Sequence, residues 1–274
     1  MSHNSPIGIF DSGFGGLTIF KQIRRLLPQY DYIYLGDNAR TPYGNRSFEA
    51  VLKFTTEGVD YLFRQGCPLA LIACNTASAK ALRSIQQQYL PKHYPERRVL
   101  GVIRPTVEVI HNYTQTNQVA LWATQGTVRS DSFAIEIAKH APGVKLVQQA
   151  CPMLVPLVEA GELEGQGLKY YITKYWNQTK SQIEGIDTLL LACTHYPLIL
   201  PQIKALLPEN IRILSQDELV APSLKDYLAR HSEHEAKVSK NGECRYLTTD
   251  ACEHFDHLGE IFMGQKIASE KVDI

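Results

Sequence analysis

The same short pattern occurs twice in this 274-residue chain, as LIACNT at residues 71–76 and as LLACTH at residues 190–195. In each copy, an uncharged apolar run ends at a cysteine that small polar residues follow. An apolar run bounded in this way is typical of a buried parallel strand and the turn after it. The repeat therefore predicts two related α/β units, with Cys74 and Cys193 each at the carboxyl end of a strand.

Other apolar segments extend the pattern to eight core strands, four in each half. They alternate with amphipathic stretches, as expected for a parallel sheet with helices on both faces. The predicted strands are 7–10, 32–35, 69–73, 99–103, 119–123, 145–148, 188–192 and 211–214. The predicted helices between them are 17–26, 48–65, 77–88, 128–140, 165–178 and 198–206.

We therefore expect an α/β fold of two similar doubly wound domains with pseudo-two-fold symmetry. The active site would lie in the cleft between them, because ligands bind beyond the carboxyl ends of parallel strands. The first domain would contain residues 1–105 and 217–274, and the second residues 106–216. After Gln216 the pattern predicts a helix to about His231, a polar loop at 232–243, an edge strand at 245–248 and a last helix at 254–263. This tail would pack back onto the first domain.

Composition limits the classes of function. Lys and Arg number 28 and so do Asp and Glu, so the formal net charge is zero and no basic field exists to hold nucleic acid or an anionic membrane. The apolar runs are far shorter than the roughly 18 residues of a spanning helix, and residues 1–6 lack a signal-peptide pattern. We expect a cytoplasmic protein with neither a nucleic-acid nor a membrane partner.

The two strand-end cysteines are the first candidates for chemistry. A thiol at the start of a helix lies near unpaired amides and the positive end of the helix dipole, which lower a thiol pKa. The competing interpretation is a buried structural cysteine. Polar neighbours favour function, because a closed core would have to satisfy them; they are Asn75 and Thr76 beside Cys74, and Thr194 and His195 beside Cys193.

A third strand end carries Asp11 and Ser12, followed by a glycine-rich turn. Helix capping explains both residue types. The functional interpretation is that Asp11 hydrogen-bonds or deprotonates a neighbouring group while Ser12 binds an anionic or zwitterionic ligand. The turn departs from the dinucleotide-binding spacing, and Asp11 would repel a pyrophosphate, so a nicotinamide cofactor is not expected. No pyridoxal phosphate signature is recognisable either.

Three other functions stay open on the residues alone. A zinc site at Cys74, Cys193 and His195 would need a fourth ligand. A cysteine hydrolase would use one nucleophilic cysteine with His195 as the base, which leaves the second cysteine without a role. A non-catalytic amino-acid-binding module is the third.

Five ordered blocks span nearly the whole chain: FDSGFGGLT at 10–18, GDNARTPYG at 36–44, ACNTASA at 73–79, ACPMLVPLVE at 150–159 and CTHYPL at 193–198. In these blocks the chain resembles the glutamate racemases, the cofactor-independent members of the aspartate/glutamate racemase superfamily. The resemblance implies interconversion of L- and D-glutamate, which supplies D-glutamate for peptidoglycan. Aspartate racemase is the alternative within the superfamily, because sequence alone does not measure the depth of the side-chain pocket.

The resemblance also implies the site. Cys74 and Cys193 would be the acid/base thiols, helped by Asp11, His195 and Glu159. The residues implied to line the amino-acid site are Asp11, Ser12, Pro42, Tyr43, Gly44, Asn75, Thr76, Thr124, Thr127, Thr194 and His195. We expect no metal, no cofactor, glutamate as the small-molecule substrate, and a homodimer.

Racemisation removes the α-proton from one face of the substrate and returns a proton to the other face. Two opposed thiols, one ionised and one not, suit this reaction, and their titrations would be coupled. The other four cysteines, Cys67, Cys151, Cys244 and Cys252, are expected to be structural.

The chain departs from the family pattern at two places. It has LSQD at 214–217, where many members have Asp-Ser, and Trp122 lies in a strand usually made of small or aliphatic residues. We expect these changes to bear on oligomer contacts and regulation rather than on the reaction.

Overall fold

The computed structural model describes residues 5–274. The prediction that residues 1–6 lack a signal-peptide pattern rests partly on residues 1–4, which lie outside the described range. Within it, ten strands form two sheets in which every strand pair is parallel. The strands are β1 Ile7–Asp11, β2 Tyr32–Gly36, β3 Leu69–Ile72, β4 Arg98–Gly101, β5 Gln118–Ala123, β6 Lys145–Ala150, β7 Thr188–Ala192, β8 Arg212–Ser215, β9 Cys244–Thr248 and β10 Ser269–Lys271.

The strand order explains where the site lies. The first sheet has the order β10-β9-β2-β1-β3-β4 and the second the order β6-β5-β7-β8, so the second sheet repeats the order β2-β1-β3-β4 of the first. In the first sheet, the chain passes from β1 to β2 on one side and from β3 to β4 on the other. In the second sheet, it passes in the same way from β5 to β6 and from β7 to β8. Such a switch point opens a crevice at the carboxyl ends of those strands. The α/β fold class predicted from sequence is confirmed.

Thirteen α-helices connect and cover the strands within residues 5–274. They are α1 Leu17–Leu26, α2 Phe48–Arg64, α3 Asn75–Ser84, α4 Leu90–His93, α5 Ile103–Val109, α6 Gln125–Arg129, α7 Ser132–His140, α8 Leu154–Glu159, α9 Gln166–Lys180, α10 Leu200–Leu206, α11 Gln216–Arg230, α12 Ser232–Glu235 and α13 Cys252–Met263. A π-helical turn at Ile85–Tyr89 joins α3 to α4. No helix within residues 5–274 is both long enough and apolar enough to cross a membrane.

The strands are apolar because helices cover both faces of each sheet. Every residue of β1, β2 and β7 is buried. Trp122 in β5 is fully buried, and its indole N–H donates to Thr179 Oγ1 of α9 at 2.8 Å. The large ring therefore fits a strand of the core because its one polar group has a partner.

The C-terminal tail lies against the first sheet. Strand β9 pairs with β2 on one side and β10 on the other, and both α11 and α13 contact α1. The prediction of an edge strand at 245–248 is therefore wrong, because β10 forms that edge. The exact domain boundaries, 1–105 with 217–274 and 106–216, stay a prediction.

Other details of the predicted elements also need correction. The strand predicted to reach Ile103 ends at Gly101, and α5 begins at Ile103. The helix predicted at 128–140 is two helices, because Asp131 has a left-handed backbone conformation, with φ of 53°, between α6 and α7. Helix α8 was not predicted, and the loop predicted at 232–243 contains the short α12.

Candidate active site

A cavity of about 70 Å³ lies where the carboxyl ends of β1, β3, β5 and β7 meet. The switch point of each sheet predicts a binding crevice at this position. Its lining residues are Ser12, Thr41, Pro42, Tyr43, Gly44, Asn45, Cys74, Asn75, Thr76, Thr124, Gln125, Cys151, Pro152, Val155, Pro156, Glu159, Cys193, Thr194 and His195.

Most of the residues predicted from sequence line this cavity, but Asp11 and Thr127 do not. Both are fully buried behind it. Asp11 Oδ2 accepts from the backbone N–H of Gly13 at 2.9 Å, so the carboxylate closes the turn after β1. Thr127 Oγ1 lies 3.1 Å from Thr124 Oγ1 and 3.4 Å from Thr76 Oγ1, and both of these threonines line the cavity.

Cys74 is the N-cap of α3, and Ala73 separates it from the end of β3. Its Sγ accepts from the backbone N–H of Ala77 at 3.4 Å and lies 3.3 Å from Ser12 Oγ. Burial and the negative charge of Asp11 raise the pKa of the Cys74 thiol to about 12, and the hydrogen bonds from Ser12 and Ala77 oppose this only in part. At neutral pH Cys74 is therefore a protonated thiol.

Cys193 follows β7 and has a different environment. Its Sγ lies 3.9 Å from His195 Nδ1, and His195 Nε2 lies 3.1 Å from Glu159 Oε1. Burial alone would lower the pKa of His195, but its contacts with Cys193 and Glu159 raise that pKa to about 10. His195 is therefore an imidazolium at neutral pH, so a positive charge lies beside Cys193.

Asp11 is a fully buried acid whose charge acts on Cys74. Burial raises its pKa, although the positive charge of His195 and the backbone N–H groups of Gly13 and Gly16 lower it in part. Its Oδ1 has no hydrogen-bond partner among the described residues. A Cβ on Gly16 would lie 2.6 Å from Asp11 Cβ, so glycine is needed where this turn enters α1.

Three threonine hydroxyls join the two halves beside the thiols. Thr76 Oγ1 of α3 lies 2.9 Å from Thr124 Oγ1 and 3.4 Å from Thr127 Oγ1. Thr124 caps α6 by accepting from the backbone N–H of Thr127 at 3.2 Å. The cavity therefore offers neutral hydroxyl and amide donors, and its described lining contains neither lysine nor arginine.

A short segment after β2 closes another side of the cavity. Tyr43 is buried, and its hydroxyl donates to the carboxylate of Asp37, which Arg40 also binds at 2.7 Å. This anchor holds Pro42 and Gly44 against the second half. A Cβ on Gly44 would lie 3.1 Å from Thr124 Cβ, so the approach leaves little room for a side chain.

Seven lining residues were not predicted. They are Thr41, Asn45, Gln125, Cys151, Pro152, Val155 and Pro156. Four of them belong to the block at 150–159, so that block was the signal that could have found them. Cys151 was expected to be structural, but it lines the cavity, and burial raises its pKa well above the usual value for a thiol.

The ligand atoms of three residues capable of binding a metal converge to within 4.8 Å at His231, Glu233 and His234. None of these residues lines the cavity. Within the cavity, Cys74 and Cys193 instead contact hydrogen-bonding groups.

Comparison with known proteins adds a second line of support. The family model described as Asp/Glu/Hydantoin racemase matches residues 15–221. The glutamate racemase of Jannaschia sp. (strain CCS1) is 38% identical to this chain over 277 residues, which cover 97% of this chain and 99% of that protein.

Solved structures agree with this match. A glutamate racemase isoform from Bacillus anthracis aligns with a TM-score of 0.88 at 32% identity, covering 98% of each chain. The glutamate racemase of Francisella tularensis in complex with D-glutamate aligns with a TM-score of 0.86 at 31% identity, covering 99% of this chain and 98% of that one. The resemblance inferred from the five sequence blocks is confirmed, and the chain belongs to the Asp/Glu/Hydantoin racemase family.

Proposed function

We propose that this chain is a glutamate racemase that moves the α-proton with Cys74 and Cys193. The observation that carries the proposal is the pair of thiols at equivalent strand ends of two sheets, both lining one cavity. The relatives that match over nearly their full length, and are named glutamate racemases, support glutamate as the substrate.

In the direction from L- to D-glutamate, the sulfur of Cys193 begins as a thiolate and Cys74 as a thiol. Cys193 removes the α-proton from one face, which leaves a planar carbanionic intermediate. Cys74 then gives its proton to the opposite face. The surroundings suit this starting state, because protonated His195 lies beside Cys193 and the pKa of Cys74 is raised by burial.

The reverse direction needs the opposite protonation of the two thiols. Asp11 can assist as a proton acceptor. Burial raises the pKa of its carboxyl group and so makes its carboxylate a stronger base. Because each turnover exchanges the protonation of the two sulfurs, their titrations belong to the pair. His195 and Glu159 would act as helpers of Cys193, and Asp11 as the helper of Cys74.

The substrate carboxylates would be held by fixed neutral donors. The side chains of Asn75, Thr76, Thr124 and Thr194 line the cavity and carry N–H or O–H groups. Such donors stabilise negative charge that develops at the α-carbon and its carboxylate, and they need no reorganisation during the reaction. Ser12 and the segment from Pro42 to Gly44 would complete the amino-acid site.

The wider role follows from the substrate. A cytoplasmic enzyme of this kind would supply D-glutamate for peptidoglycan and so serve cell-wall growth. The homodimer expected from the sequence stays a prediction, and light scattering of the purified protein would test it.

The proposal is tested by incubating pure protein with L-glutamate in heavy water, without added cofactor or metal. We expect optical activity to be lost while deuterium enters at Cα, because the proton returned from a thiol exchanges with solvent. Unchanged rotation with release of ammonia or an acyl product would instead favour a hydrolase. A higher kcat/KM for aspartate than for glutamate would favour aspartate racemase.

A further inference from the structure

A buried glutamine contacts the active site from behind. Gln216 begins α11, is 3% exposed and does not line the cavity, whereas Asn75 does. Gln216 Nε2 donates to the carbonyl of Val102 at 3.2 Å and to Thr106 Oγ1 at 3.0 Å. Gln216 Oε1 accepts from Asn75 Nδ2 at 2.5 Å. One side chain therefore links Asn75 to the segment that enters α5.

These contacts determine the orientation of both amides. A backbone carbonyl can only accept a hydrogen bond, so the group of Gln216 that faces Val102 must be its NH₂. The hydroxyl of Thr106 also donates to Val102, at 2.9 Å, and so accepts from Gln216. The oxygen of Gln216 then faces Asn75, which must donate an N–H to it.

The remaining groups of the Asn75 amide are its Oδ1 and its second N–H. Oδ1 is buried and has no hydrogen-bond partner within residues 5–274. An unpaired buried carbonyl is costly, so a ligand that brings a donor would relieve it. An α-amino acid carries an ammonium donor beside a carboxylate acceptor, which complements the acceptor and donor that remain on Asn75.

We infer that Gln216 is a positioning residue for substrate binding. It holds the amide of Asn75 in the orientation that presents Oδ1 to the α-ammonium group and one N–H to the α-carboxylate. The inference rests on the proposed function, because that function supplies the amino acid. It differs from the expectation that the departure at residues 214–217 bears on oligomer contacts and regulation rather than on the reaction.

The variant Gln216→Met keeps the length of the side chain and removes both of its polar groups. We expect KM for glutamate to rise about 10-fold, the effect of one hydrogen bond, while kcat changes less than about 3-fold. Thr106→Val is the matched control: Gln216 loses one acceptor but keeps the Val102 carbonyl, so KM should stay within about 2-fold of the parent. If Gln216→Met does not fold, Gln216→Asn replaces it, because its shorter amide cannot bridge Val102 and Asn75.

A double-variant cycle separates positioning from general loss of structure. If Gln216 acts through Asn75, Gln216→Met should have no further effect on KM in the Asn75→Ala background. A KM that rises equally in both backgrounds, or that rises as much in Thr106→Val, would overturn the inference.

The amide orientation can also be tested without activity. In a crystal structure of Gln216→Met, we expect the Asn75 amide to change rotamer or to occupy two conformers. An Asn75 side chain that is unchanged in that variant would overturn the inference. Failure of the parent protein to racemise glutamate would overturn the proposed function and the ligand named here, and it would leave the result on amide orientation standing.

Discussion

Cys74 and Cys193 end equivalent strands, yet the charges near their sulfurs differ in sign. Asp11 contributes a negative charge near Cys74, and His195 contributes a positive charge beside Cys193. A positive neighbour stabilises a thiolate, and a negative neighbour stabilises the neutral thiol. In the proposed mechanism, these charges favour the direction in which Cys193 removes the first proton.

Glu159→Gln tests the origin of the charge on His195. The Glu159 carboxylate helps to raise the pKa of His195 to about 10, so its removal should lower that pKa. As the pH rises, the imidazolium of the variant should lose its proton at a lower pH than that of the parent, and activity that needs it should be lost there. We expect the alkaline limb of the pH profile of kcat/KM for L-glutamate to move down by about one unit or more.

A second Glu–His pair provides the control for this measurement. Glu136 Oε2 lies 3.4 Å from His140 Nε2, and neither residue lines the cavity. Glu136→Gln should leave the pH profile of racemisation unchanged. An alkaline limb that stays in place in Glu159→Gln would show that His195 does not depend on this carboxylate.

Among the elements, β7 depends on a link at its amino end. The carboxylate of Asp187 accepts from Thr114 Oγ1 at 2.7 Å and from the backbone N–H groups of Gln115 and Thr116 at 2.6 and 2.8 Å. Burial would raise the pKa of Asp187, but these hydrogen bonds lower it to about 2. The contacts tie the loop before β5 to the strand that ends at Cys193.

Asp187→Asn should therefore lower the free energy of unfolding by roughly 1–2 kcal/mol at pH 7, after allowance for solvent screening. The stabilisation exists above the usual carboxyl pKa of 3.8 and is lost as the pH falls through about 2. Urea unfolding of parent and variant at pH 7 and pH 2.5 measures this difference. Asp226→Asn, which removes a carboxylate from an exposed pair with Arg230, should change stability little. A difference for Asp187→Asn that is as large at pH 2.5 as at pH 7 would contradict this expectation.

The central strands β1, β3, β5 and β7 were predictable because helices bury both of their faces, which makes these strands almost continuously apolar. Strand β10 was not predictable, because its sequence SEK is polar and only pairing with β9 makes it a strand. The break at Asp131 was missed because a left-handed residue inside an amphipathic pattern leaves the periodicity almost intact. Helix α5 was missed because only Val102 separates it from β4, so the apolar run of the strand continues into the helix.

The two thiols and their polar neighbours were predictable from the repeated strand ends. Which residues line the cavity and which lie behind the lining was not predictable, because this depends on how the two sheets face each other. Asp11 and Thr127 therefore lie behind the lining, and Cys151 lies in it. Gln216 was visible as a departure from the family pattern, but its contact with Asn75 joins residues 141 positions apart in the sequence.

In the molecule as a whole, the cavity exists because the two halves approach each other closely. Thr18 of α1 donates its hydroxyl to the carbonyl of Thr194, beyond β7, at 2.9 Å. Gly15 lies at the same junction, where a Cβ would be 2.2 Å from Thr194 Oγ1 and 2.5 Å from His195 Nδ1. No side chain fits between these elements without displacing the residues beside Cys193.

Gly15→Ala should therefore reduce activity more than stability. A shift of about 1 Å at a catalytic group can lower the rate on the order of 100-fold, and we expect a loss of kcat/KM of that order. Gly167→Ala in α9 is the control, because its Cβ would meet no atom within 4 Å and alanine is favoured in helices. Activity of Gly15→Ala within about 2-fold of the parent would mean that the junction is not required to be this close.

A glutamate analogue with a leaving group on Cβ, supplied as separate enantiomers, measures most directly which thiol removes the α-proton of which enantiomer. Each serine variant, Cys74→Ser or Cys193→Ser, keeps one thiol, which can still remove a proton from its own enantiomer and so release the leaving group. Cys67→Ser and Cys244→Ser are controls, since neither residue lines the cavity.

We predict that Cys74→Ser eliminates preferentially from the L enantiomer and Cys193→Ser from the D enantiomer, and that neither variant racemises glutamate. The same enantiomer preference in both variants, or racemisation near the parent rate in either one, would contradict a mechanism with one thiol on each face of the substrate.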